Sequence, residues 1–256
     1  MSAFSDLDAS SNAPALLAYL DDTDRGLAAI KAYMAATAQL HAADQPMLDL
    51  GCGVGHDLVR LARSGVWPVG LDSSAQALAR AKATGHAVVR GDGVNLPFAS
   101  NAFAGCRIER VLQHVTDPGA VLDEVIRVVQ PGGLVVIFEP DWTMFRVESE
   151  VVADGSLPAK FAAARHPTIG TDVAGLLRSR GCVIDDIVTE KSFGYRLDAL
   201  PIDAGLVTQR GVDAGALTSQ LRHAWLDEQR ARDRTGTLHA TWAKILTVAH
   251  VGRSPG

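Results

Sequence analysis

Between Met47 and Pro140 the chain alternates short apolar runs with stretches in which apolar residues recur at helical spacing. The runs are MLDL, VWPVGLD, HAVVRGD, FAGCRIER and GGLVVIFEP; DLVRLARSG, AQALARAKA and PGAVLDEVIRVV lie among them. Short apolar runs separated by amphipathic helices are what a parallel sheet covered on both faces requires. Five strands are therefore expected by Pro140.

The flanks are less regular. Residues 1–12 are rich in Ser, Ala and Asp and read as a flexible N-terminus. Over 13–45, Pro14 to Leu20 and Arg25 to His41 place Leu16, Leu17, Leu20, Leu27, Ile30 and Met34 as two covering helices would. Trp142 to Arg165 reads as an insertion, part of a lid over about 142–170. Thr171 to Arg180 reads as a helix ended by Gly181, and Cys182 to Phe193 as a strand. Helical stretches at about Asp198 to Val207 and Ala214 to Arg232 precede LHATWAKILTVA, whose Thr, Val, Ile and Trp favour a terminal strand. The sum is an α/β fold with seven strands, one domain over 46–256 with helices at about 198–232.

Composition narrows the partners. A net charge of -5 without a local basic patch argues against nucleic acid and for a small molecule. No segment is apolar for long enough to span a membrane, and the first residues lack the basic and apolar regions of a leader. Three well-separated cysteines, Cys52, Cys106 and Cys182, suit a reducing cytoplasm and neither a disulfide framework nor a metal site. His166, His223, His239 and His250 show no metal-ligand spacing, so no metal is expected. A monomer or homodimer is expected.

The chemistry concentrates after the strands. Asp49-Leu50-Gly51-Cys52-Gly53-Val54-Gly55 puts a glycine turn between a strand and a helix, where backbone N–H groups and the helix N-terminus can face a ligand. The spacing is Gly-x-Gly-x-Gly with His56 at the sixth position, which departs from the Gly-x-Gly-x-x-Gly of dinucleotide folds. Asp49 precedes it, Asp72 closes the next strand beside Ser73, and Asp92 follows the third, before Gly93 and Val94.

Taken in order and spacing, LDLGCGVGHD, GLDSS, GDGVNLPF, RVLQHVTDP and RVVQPGG resemble class I S-adenosylmethionine-dependent methyltransferases, in the ubiquinone/menaquinone-biosynthesis-like or type 11 subgroup. The resemblance is strong over about Met47 to Pro140 and extends beyond it only in layout. It implies a Rossmann-like sheet of order 3-2-1-4-5-7-6, its last strand antiparallel, S-adenosylmethionine as cofactor and a small-molecule acceptor. On this reading Asp49 offers charge to the cofactor's ammonium and sulfonium, and Gly51, Cys52 and Gly53 offer N–H donors. Asp72, with Ser73, accepts the ribose hydroxyls; Asp92, Gly93 and Val94 edge the adenine; and Arg110 touches the cofactor or a substrate oxygen, or pairs with Glu109 or a neighbouring acid.

Substrate-facing groups then follow strands four and five. His114 is the leading base, with helix capping or packing as its alternative role; Glu139 or Asp141 could act instead, orient an amine, or merely cap loops; Trp142 could wall a planar or a cationic acceptor. Three other functions are alternatives: use of the cofactor without methyl transfer, as in a cyclisation; cofactor binding without turnover; and an NAD-dependent dehydrogenase, against which the Gly-x-Gly-x-Gly spacing and Asp49 stand.

Overall fold

The computed structural model describes residues 8, 17, 27–152, 155, 165–213 and 215–252. Strands buried on both faces carry continuous apolar runs. This holds for the central β1 (Pro46–Leu50) and β4 (Phe103–Glu109), in which every residue after Pro46 is buried. With β2 (Trp67–Asp72), β3 (Ala87–Arg90), β5 (Val129–Val147), β6 (Val183–Gly194) and β7 (Ala240–His250), they form one sheet in the order β3-β2-β1-β4-β5-β7-β6. The first five strands pair in parallel, and β7 runs antiparallel to both β5 and β6. The expected order and the direction of the last strand are both observed.

The boundary expected at Trp142 differs. The stretch from Trp142 does not begin a lid, because β5 continues to Val147 and pairs Arg146 with Thr241 and Val147 with Ala240 after a register shift. Phe145 and Val147 are fully buried, and exposed Arg146 lies between them. That alternation is the strand period, and it packs Phe145 and Val147 with Trp225, Leu238 and Ala240. Residues 153–154 and 156–164 of the expected insertion lie outside the described residues.

The helices cover both faces. On one, α1 (Ala28–Ala42) sets Leu27, Ile30, Met34, Ala38 and Ala42 against Met47, Val136, Phe138 and Leu246. Of the helix expected at Pro14 to Leu20, only Leu17 is among the described residues. After β1 and β2 come α2 (His56–Arg63) and α3 (Ala75–Ala81). The opposite face is covered by α4 (Pro118–Val128) and α5 (Ile169–Arg178). Asp117 caps α4 by accepting the Ala120 N–H at 3.1 Å, and Pro118 occupies its first turn. The expected 198–207 helix is a 3₁₀ turn, Leu197–Ala199, followed by α6 (Ala204–Asp213), with Pro201 between them. The next begins at Ser219 because Thr218 caps it, giving α7 (Ser219–Thr235). Among the described residues no helix is long and apolar enough to cross a membrane.

Candidate active site at the ends of β1, β2 and β4

The strand order reverses between β1 and β4, and a crevice for a ligand opens outside the carboxyl ends of the strands at such a point. The glycine loop leaves β1 there. Gly51 has φ +76°, and a Cβ on it would stand 2.2 Å from Val111 Cγ2, so the loop lies against the segment that follows β4. Gly55, at φ +88°, starts α2 where a Cβ would press on Ala81 and Thr84. These two glycines meet steric demands of the fold itself.

The loop donors are not aimed as expected. Gly51 and Cys52 both donate their N–H to Leu71 O, at 2.7 and 3.1 Å, and Gly53 donates to Asp72 Oδ2 at 2.9 Å. A turn that must close onto β2 uses its N–H groups to do so. Cys52 also turns its thiol into a cluster with Leu58, Leu78 and Ala81, where burial pushes its pKa up. Its place is set by packing, and a Cβ on Gly70 would meet its sulfur at 2.7 Å.

Asp72 sits at the end of β2 with its carboxylate tied down: Oδ2 accepts from Gly53 and Oδ1 from the Ser74 N–H at 2.9 Å. Each oxygen keeps further acceptor capacity, which suits a vicinal diol. Burial raises the Asp72 pKa against these bonds. Ser73 is exposed, and its carbonyl accepts from Arg90 at 3.0 Å. Asp92 is exposed, accepts the Val94 N–H at 3.2 Å, and so shapes a turn that presents Gly93 and a 40 % exposed Val94. A polar acceptor beside an apolar edge can hold a flat heterocycle.

Asp49 is fully buried and belongs to a charge network. Its Oδ1 accepts from Arg107 at 2.7 Å, and the same guanidinium reaches Asp57 at 2.8 Å and Glu109. Lys31 of α1 bridges Asp57 at 2.6 Å and Glu109 at 3.2 Å, and Arg60 also pairs with Asp57. Burial raises the Asp49 pKa to about 6 despite Arg107, whereas the Arg107, Lys31 and Arg60 cations hold Asp57 well below the usual carboxylate range. Asp49 Oδ2 is buried and has no hydrogen-bond partner. An orphaned carboxylate oxygen at the root of the glycine loop is an acceptor for a cationic ligand group. Sequence reasoning missed Arg107, Lys31 and Asp57; the signal was Arg107 and Glu109 alternating in an otherwise apolar strand, since buried charges must find partners.

The catalytic candidates separate. Glu139 is fully buried, and its Oε1 accepts the Val111 and Leu112 N–H groups, each at 2.7 Å. Through Oε1 it braces the segment after β4, while its buried Oε2 has no hydrogen-bond partner. Burial pushes its pKa up to about 8, above the backbone bonds' opposing effect. Asp141 is also withdrawn: Oδ1 accepts the Thr143 N–H and hydroxyl and Oδ2 the Thr171 hydroxyl, tying β5 to α5. Trp142 donates its indole N–H to Gln113 at 2.8 Å. His114 remains half-buried, with its pKa lowered to about 4 by burial and by Arg110. Arg110 adopts φ +56°, a strained conformation that recurs at functional sites.

Glu139 yields a test. Its folded pKa lies above the ordinary 4.5, so its stabilising contribution is full below that value and is lost as pH rises through about 8. Glu139→Gln should keep the accepted bonds and flatten this slope in urea denaturation. Glu139→Ala, which strands two N–H groups, should cost about 1–3 kcal/mol.

A methyltransferase domain model, of the type 11 family, matches residues 48–137. An uncharacterized 37.1 kDa protein in a Streptomyces fradiae transposon is 34 % identical over 203 residues, covering 72 % of this chain and 57 % of that protein. Demethylmenaquinone methyltransferase of Corynebacterium efficiens is 40 % identical over 95 residues, 37 % of this chain and 41 % of the relative. The chain thus spans about half the length of the curated relatives it matches. A Bacillus halodurans protein described as a methyltransferase superposes with a TM-score of 0.59 at 17 % identity, over 84 % of this chain and 96 % of that one, a likeness of fold. Residues 48–137 are thus a methyltransferase domain of the type 11 family, and the strand order of the sheet and the loop after β1 agree with that match.

Proposed function

We propose that the protein transfers a methyl group from S-adenosylmethionine to a small-molecule acceptor at the β1–β4 crevice. The observation that carries this is the pairing of an orphaned, buried Asp49 oxygen with the Gly51 loop at the point where the strand order reverses. The residues fit the cofactor: Asp49 Oδ2 would receive its ammonium, Asp72 its ribose hydroxyls, and Asp92 with Gly93 and Val94 its adenine. When bound, the cofactor supplies an electrophilic methyl on a sulfonium.

What the chain must then do is hold a nucleophile in line and exclude water. Arg110 and His114 are the polar groups after β4 that would face the acceptor. At a pKa of about 4, His114 is neutral across the physiological range and a weak base. It suits an acceptor that ionises readily or needs no deprotonation. The test is a panel of phenols, quinols and amines with methyl-labelled S-adenosylmethionine. Label should appear in an acceptor with an equal amount of S-adenosylhomocysteine. A product formed without S-adenosylhomocysteine would instead establish non-transfer chemistry on this fold.

A further inference from the structure

The sheet face that carries the Arg107 network continues across β5 to the edge of the fold. On β7, alternation places Trp242, Lys244, Leu246 and Val248 on that face, and Leu246 and Val248 pack with α1. Lys244 lies opposite Pro140 on β5 and Glu190 on β6, at the carboxyl end of the sheet where the acceptor must bind.

Lys244 differs from the other buried cations. Lys31 and Arg107 reach Asp57 and Asp49 at 2.6–2.8 Å, and even the looser contacts of Lys31 and Arg110 with Glu109 close to 3.2 and 3.3 Å. Lys244 Nζ stands 3.7 Å from Glu190 Oε2, with the lysine side chain only 12 % exposed. That Oε2 is buried and makes no hydrogen bond. A charge-assisted N–H···O bond closes to about 2.7–2.9 Å, so this pair is left open. The Trp242 ring centroid lies 6.0 Å from Nζ. Burial lowers the lysine's pKa; Glu190 and Glu109 oppose that, and Arg110 adds to it. The amine thus shares a field with the residues beside the cofactor crevice.

We propose that Lys244, steadied by Glu190 and flanked by Trp242, is the acceptor-recognition residue, receiving an acidic oxygen, a phenolate or enolate, on a planar frame. The inference rests on the methyltransferase reading above. It also explains why so weak a base as His114 suffices, because the acceptor arrives ionised. The anion's electron pair forms the new bond to the methyl carbon, at oxygen or at the enolate carbon. The carbon–sulfur bond breaks, its electron pair returns to sulfur, the sulfonium charge is neutralised, and no proton moves.

The probe is 2-hydroxy-1,4-naphthoquinone, a planar enol ionised at neutral pH, titrated into protein saturated with S-adenosylhomocysteine. Wild type should bind it saturably, Lys244→Met about tenfold more weakly, and Lys244→Arg nearly as well as wild type. Glu190→Gln should bind more tightly, since it leaves the ammonium without a competing carboxylate. A purely structural Lys244–Glu190 pair would make Glu190→Gln weaken binding alongside Lys244→Met, and that result overturns the proposal. Equal binding by wild type and Lys244→Met, or none by the saturated wild type, overturns it too. Wild type that does not take up S-adenosylhomocysteine would sink the methyltransferase reading instead.

Discussion

Replacing Arg107 by Met should destabilise the protein by about 3–5 kcal/mol, the largest single loss expected outside the apolar core. Arg107 is 4 % exposed, and its guanidinium holds Asp49, Asp57 and Glu109 at once. Removing it takes from Asp49 the cation it pairs with and leaves Asp57 and Glu109 to Lys31, the half-buried Arg60 and Arg110. Asp57, whose folded pKa is depressed, contributes stability present above its unfolded pKa and lost as pH falls. In the variant that depression weakens and an acid can take up a proton, so the gap to wild type should narrow in acid. Urea denaturation across pH measures both effects; a gap that widened in acid would show that Arg107 does not hold the acids ionised. Arg107→Lys should recover only part, because one ammonium cannot reproduce the fork.

The second large effect is Gly51→Ala. The substitution combines a left-handed φ of +76° with a Cβ 2.2 Å from Val111 Cγ2, so the loop or Val111 must move. Left-handed backbone costs about 1–2 kcal/mol and overpacking about 1–3 kcal/mol more. Gly65 supplies the control: it has φ +85° with nothing within 4 Å of a Cβ, so Gly65→Ala should show the backbone cost alone. Movement of the loop also strains the Gly51 bond to Leu71 O and the Gly53 bond to Asp72, so cofactor affinity should fall for Gly51→Ala and stay unchanged for Gly65→Ala. Val111→Ala should rescue part of the Gly51→Ala loss, and a strictly additive double variant would disprove the contact.

These expectations show which parts of the molecule could be read in the sequence. The parallel core was legible because β1 and β4 are buried on both faces and carry uninterrupted apolar runs, and the strand order followed from the family motifs. The end of β5 was not, since TMFRV alternates over too few residues to outweigh the polar DWT before it. Asp49 on β1 and Asp72 at the end of β2 could be placed from the sequence, but the direction of the loop N–H groups could not: a Gly-x-Gly turn looks alike whether its donors close onto β2 or face a ligand. Glu139 and Asp141 sat where acceptor-facing acids belong, yet both point to partners contributed by segments distant in sequence, Val111 and Leu112 for one and Thr171 for the other. Spacing along a strand gives a residue's face, not its hydrogen-bond partner.

The central claim, that the crevice at β1, β2 and β4 holds S-adenosylmethionine, is tested most directly by calorimetric titration of the cofactor into wild type and Asp72→Ala. Wild type should bind one equivalent, and Asp72→Ala should bind with about 1–3 kcal/mol less free energy, the scale of the hydrogen bonds lost to the ribose. No binding by the wild type, or equal affinity in the two proteins, would contradict it.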